Sequence, residues 1–137
     1  MSCCPIEIPP RTAALICVVD PDPIVRRSVA ALLRPLGADV EGYPTAREFL
    51  ARLPTEVPVC VVAECRLPDM SGLALLQELR ARGLHIPTIL LSADADVTAA
   101  VNAMRAGALD FIEKPYIDRA LVTQVAPILD VDGKRAH

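Results

Sequence analysis

Aromatic side chains are nearly absent: the 137 residues include two Tyr, two Phe and no Trp. The core must therefore be aliphatic, and the stacking platforms that hold single-stranded nucleic acid are missing. Long apolar runs are missing too. The longest, Ala13 to Val19, falls far short of the roughly 20 residues a helix needs to cross a bilayer, so no membrane span is expected. There is no basic surplus either. Fourteen Lys and Arg stand against seventeen Asp and Glu, a formal charge of −3, so no global field attracts nucleic acid and direct binding to it is not expected. The opening MSCCPIEIPP carries Glu7 and three prolines where a signal peptide has a basic region and an apolar stretch, which predicts a cytoplasmic chain. Five cysteines are present without zinc spacing, and Cys17 and Cys60, inside apolar runs, are expected to be reduced, buried thiols.

Apolar residues make up 53% of the chain and charged residues 23%, a balance that supports one folded domain of ordinary size. Short β-branched runs alternate with helix-period segments, the pattern of successive βαβ units. Strands are expected at Ala14 to Val19, Ala38 to Tyr43, Pro58 to Ala63, Thr88 to Leu91 and Ala108 to Glu113. Between them the periodicity predicts helices: from Pro23, capped by Asp22, to Arg34; a short one opened by the Thr45/Glu48 capping box; Leu73 to Arg82; and one capped by Asp94 or Asp96 that ends near Arg105. A last helix is expected from about Asp118 to Leu129. The domain is thus placed at residues 14–129, after an N-terminal extension over 1–13 and before a frayed tail or linker start over 130–137.

Five strands with intervening helices make a doubly wound α/β sandwich with a parallel sheet, in which chemistry collects at the carboxyl ends of the strands. The polar residues fall there. Asp20 and Asp22 follow the first apolar run, Glu64 the third, Ser92 the fourth and Lys114 the fifth, so three acids, a hydroxyl and an ammonium converge on one rim.

With these residues in view, the sequence resembles the receiver domain of bacterial two-component response regulators, from about Leu15 to Leu129. VVDPDPIVRRSV (Val18 to Val29), RLPDMSG (Arg66 to Gly72), ILLS (Ile89 to Ser92) and MRAGALDFIEKPY (Met104 to Tyr116) carry the likeness, in order and at matching separations. The resemblance implies a flavodoxin-like three-layer sandwich with strand order 2-1-3-4-5. It also implies a phosphoacceptor at position 64, a magnesium site built from the acids near Asp20 with the backbone carbonyl of Arg66, and phosphoryl contacts from Ser92 and Lys114. Ser92, Phe111 and Pro115 would form the switch. A sensor histidine kinase, an output domain or effector protein, and a homodimer through the fourth helix, fifth strand and fifth helix are the implied partners, with signalling rather than catalytic turnover as the role.

Two positions depart from the family pattern. Pro21 replaces the second acid of the pair, leaving Asp20 and Asp22 with Glu64 as the candidate magnesium ligands, and Glu64 replaces the usual phosphoacceptor Asp. Magnesium demands near-octahedral oxygen ligands, and Glu64 moves its carboxylate outward by about 1.5 Å, so a weakened metal site and a receiver that is not phosphorylated in the usual way are expected. The alternatives are a receiver that still uses Glu64 or another acid, a small haloacid-dehalogenase-type phosphohydrolase suggested by Asp20-Pro21-Asp22, and an anion-binding module on the same rim.

Overall fold

The computed structural model describes residues 13–53, 56–93, 97–114 and 117–136. Strands β1 (Ala14–Val19), β2 (Ala38–Tyr43), β3 (Cys60–Glu64), β4 (Thr88–Ser92) and β5 (Asp110–Glu113) alternate with helices α1 (Pro23–Leu33), α2 (Ala46–Arg52), α3 (Gly72–Ala81), α4 (Val97–Arg105) and α5 (Ile117–Ala136). The five strands form one sheet in the order β2-β1-β3-β4-β5, every pair parallel. This is the expected doubly wound architecture.

Alternation along each strand sorts the core into two halves. Leu15, Cys17 and Val19 face a cluster with Phe49 of α2, Leu75, Leu76 and Leu79 of α3 and Ala103 of α4. Ile16 and Val18 face the other way, onto Val29 and Leu33 of α1 and Leu121 and Val125 of α5. Covered on both faces, β1, β3 and β4 carry the continuous apolar runs that parallel sheets require. Cys17 and Cys60 are buried free thiols, as expected.

The start of each element follows from local chemistry. Asp22 accepts the Ile24 N–H at 2.9 Å and Pro23 occupies the first turn of α1, Thr45 caps α2 through the Glu48 N–H, and Ser71 caps α3 through the Ala74 N–H. Several ends differ from the sequence reading: β3 runs Cys60–Glu64 rather than Pro58 to Ala63, β4 extends to Ser92 rather than stopping at Leu91, and α3 spans Gly72–Ala81 rather than Leu73 to Arg82. Arg34-Pro35-Leu36 forms a separate 3-10 turn after α1, closed by Gly37 at φ 100°. The fifth strand begins at Asp110 rather than Ala108, because Gly107, also at φ 100°, lets the Ala108 N–H bond back to Ala103 and finish α4. Helix α5 continues past Leu129 to Ala136, so the backbone of 130–136 is helical where a frayed tail was expected; once a helix is nucleated, each further residue adds a hydrogen bond. Caps Asp94 and Asp96 and the switch residue Pro115 lie outside the described residues.

Candidate functional site

The carboxyl ends of β1, β3, β4 and β5 bring the candidate residues together. Asp20 follows β1 and is 1% exposed, Glu64 ends β3 at 9%, and Ser92 ends β4 at 7%. Lys114 follows β5, and its backbone N–H donates to the Ser92 carbonyl at 2.7 Å, which fixes the start of its side chain at the rim. From there the ammonium reaches inward. Lys114 Nζ donates to Asp20 Oδ2 at 3.0 Å and lies 3.4 Å from Glu64 Oε2, one cation shared by two buried carboxylates.

Each acid is held further by backbone. Asp20 Oδ1 accepts the Asp22 N–H at 2.8 Å, and Glu64 Oε2 accepts the Cys65 N–H at 3.2 Å. Burial raises the Glu64 carboxyl above its ordinary 4.5; Lys114 pulls it back, and the charge of Asp20 raises it again. Burial works against the Lys114 ammonium too, but the hydrogen bond and charge of Asp20, with Glu64 behind them, hold it above 10.5.

Asp22 does not join this cluster. Its carboxylate is engaged as the cap of α1, one residue beyond the pair position, and the intervening Pro21 contributes no side-chain oxygen. Among the described residues no group of three potential ligands surrounds a metal position. The expected trio Asp20, Asp22 and Glu64 is therefore not assembled. Of the expected ligands only Asp20 and Glu64 meet at the rim, with the Lys114 ammonium between them, an arrangement that does not fit the oxygen set magnesium requires. Arg66, whose carbonyl was the fourth candidate, lies in the exposed loop that closes by pairing with Ser71. Phe111 is half-buried on β5 and packs against the α2–α3–α4 side of the core.

Two contacts that shape the site had no local signal in the sequence. Asp69, in the loop after β3, accepts the N–H groups of Ala46 at 3.1 Å and Arg47 at 2.9 Å, tying that loop to the start of α2 across more than twenty residues. Gly72 is required by close approach: a methyl there would sit 2.6 Å from the Glu64 carbonyl oxygen and 3.2 Å from Cys65 Cα. The neighbour is backbone and cannot swing away. Gly72→Ala should displace the end of β3 and lower stability by about 2 kcal/mol in urea unfolding, as overpacking does; a loss under about 0.5 kcal/mol would show that the loop yields freely.

With the geometry in place, the comparisons with known proteins decide the family. The model of the response regulator receiver domain matches residues 16–126. The chain belongs to the response regulator receiver family. It is 38% identical over 124 residues to nodulation protein W of Bradyrhizobium diazoefficiens, covering 90% of this chain and 55% of that protein. It is 44% identical over 109 residues to the transcriptional regulatory protein FixJ of Azorhizobium caulinodans, covering 79% of this chain and 51% of the relative. The chain spans about half the length of these curated relatives. Among solved structures, FixJ-N superposes with a TM-score of 0.76 at 37% identity over 85% of this chain and 94% of that one. A response regulator receiver protein from Pseudoalteromonas atlantica gives 0.79 at 35% identity over 86% and 98%. Receiver domains are signalling modules of two-component systems and typically bind magnesium at the acidic site. Among the described residues no helix is long and apolar enough to cross a membrane.

Proposed function

We propose that this receiver works without the usual phosphorylation and controls an output domain or partner protein through direct contacts. The observation that carries the reading is the shared ammonium of Lys114, 3.0 Å from Asp20 and 3.4 Å from Glu64. In a phosphorylated receiver the corresponding Lys meets phosphoryl oxygens; here the Glu64 carboxylate takes that partner's place and is drawn toward Lys114 rather than presented for attack. The second departure, Pro21, removes an oxygen from the metal-binding pair. In-line phosphoryl transfer rests on positioning and on cations that clamp the oxygens, and the two departures weaken both.

The contact surface fits the same reading. On α4 and the turn that follows it, Val97, Val101, Met104 and Leu109 are exposed, and Val97 at 78% is the most exposed large apolar side chain of the described residues. Apolar residues gathered on one helix face mark a docking surface. Helix α4, β5 and α5 are the face through which we assign homodimer or output contacts, with Ser92 and Phe111 as the groups that link the rim to that face. A sensor kinase is the partner whose action the altered site no longer requires.

Incubated with magnesium and a small phosphodonor such as acetyl phosphate, the chain should keep its intact mass. An added phosphoryl group, labile to hydroxylamine, would instead establish a working acyl-phosphate switch and overturn the reading.

A further inference from the structure

A groove at the β2 edge of the sheet, beside the carboxylate rim, is walled by three arginines. Arg26, Arg27 and Arg34 border a cavity of about 350 Å³ between α1 and β2, lined also by Ala30, Ala31 and Gly42. In a chain of net charge −3, none of the three is ion-paired among the described residues.

Strand alternation explains why. Val40 of β2 is buried on the α1 side of the sheet, so its neighbours Asp39 and Glu41 point to the opposite face, where the Tyr43 hydroxyl donates to Glu41 at 2.8 Å and Arg52 lies 3.4 Å from it. The strand's carboxylates are thereby kept away from the groove. The arginines are also preorganised. Arg26 donates one N–H to the Asp20 carbonyl, and Arg34 Nη2 donates to the Val40 carbonyl at 3.3 Å, which steadies both guanidinium planes and leaves their other N–H groups uncommitted. Gly42 makes the placement of Arg26 possible, since a methyl there would lie 2.9 Å from Arg26 Cδ.

Three guanidinium groups, two of them braced by backbone, around a concave space lined also by small residues match the chemistry of a multiply charged oxyanion. Arg binds phosphate through paired N–H groups, and the cavity volume lies within the range of small-molecule sites. We propose that the α1–β2 groove binds a phosphate-bearing small molecule, with Arg26, Arg27 and Arg34 as its cationic wall. The site is separate from the Glu64 position and does not depend on whether Glu64 accepts a phosphoryl group. Through Arg26 it touches the backbone carbonyl of Asp20, a member of the carboxylate cluster, which gives a bound anion a direct path to that cluster.

The test is an amide chemical-shift titration of the full chain with inorganic phosphate, pyrophosphate and a nucleoside diphosphate, each matched for ionic strength with chloride. The expected result is saturable movement centred on Ala30, Ala31 and Gly42 with a dissociation constant of about 1 mM or tighter for at least one of the three. Tighter binding of the nucleoside diphosphate than of pyrophosphate identifies a nucleotide ligand, and equal binding identifies the phosphate group alone. Arg27→Gln/Arg34→Gln, both at exposed positions, should weaken that binding about tenfold or more, whereas Arg105→Gln on α4 should leave it unchanged. No saturation with any of the three ligands up to about 10 mM, equal loss in the Arg105 control, or shifts centred on Ser92 and Lys114 would overturn the proposal.

Discussion

The Pro21→Asp/Glu64→Asp double variant should acquire one phosphoryl group from acetyl phosphate in magnesium buffer, under conditions that leave the parent chain at its original mass. Each substitution reverses a different defect. Aspartate at 64 withdraws the carboxylate by about 1.5 Å, beyond easy reach of Lys114, and frees the ammonium to meet an incoming phosphoryl oxygen. Aspartate at 21 supplies a second carboxylate beside Asp20, whose own oxygens are committed to Lys114 and the Asp22 N–H. A misplacement of about 1 Å in an aligned transfer costs on the order of a hundredfold, so the double variant should label at least about a hundred times faster than the parent. Glu64→Asp alone should label slowly, for want of the second acid, and Pro21→Asp alone should not label above the parent. Intact-mass spectrometry with hydroxylamine lability reads all four proteins. If the double variant stays unlabelled while its fold is intact, the scaffold has diverged beyond these two positions.

What was legible before the fold was known follows from how local each signal is. The run Ala14–Val19 ends at Asp20 because a strand covered on both faces tolerates polar residues only at its end, and the same rule marked Glu64 and Ser92. Asp22 and Thr45 were legible as caps because the acceptor and the N–H it meets are two or three residues apart. Convergence of Asp20, Glu64, Ser92 and Lys114 followed from topology, since a parallel sheet puts all strand ends on one side. Partner choice was not legible. That Lys114 spans both acids, and that Asp69 holds the start of α2, depends on distances across more than twenty residues, which periodicity does not encode. The position of Asp22 apart from Asp20 and Glu64 has a local reason that the sequence contains: an Asp directly before Pro23 at the start of α1 is held as the cap of that helix.

Lys114→Met should be the most destabilising single change at the rim. It leaves Asp20 at 1% and Glu64 at 9% exposure as two buried carboxylates with no ammonium between them. Removing one partner of a buried ion pair costs about 3 to 5 kcal/mol, and the low end applies because the Lys114 side chain keeps 19% of its surface in water. The loss depends on pH in a defined direction. The Glu64 carboxyl is raised above 4.5 in the folded chain, so the folded state holds that proton longer than the unfolded state does, and stability from this group falls as pH rises from about 4.5 through the folded value. Without Lys114 the upward pressure grows, since the cation that opposed it is gone. Urea unfolding of Lys114→Met should therefore show the largest deficit near neutral pH and a smaller one as pH falls through the raised Glu64 value, where protonation removes one of the two charges. In the parent chain the Lys114 contribution persists up to its ordinary 10.5 and is lost only as pH rises through its higher folded value. Adding Glu64→Gln to Lys114→Met should restore more than half of the lost stability at neutral pH and flatten the acid dependence, because only Asp20 then remains charged. A deficit under about 1 kcal/mol, insensitive to pH, would class the bridge with exposed ion pairs and remove the constraint we assign to Lys114.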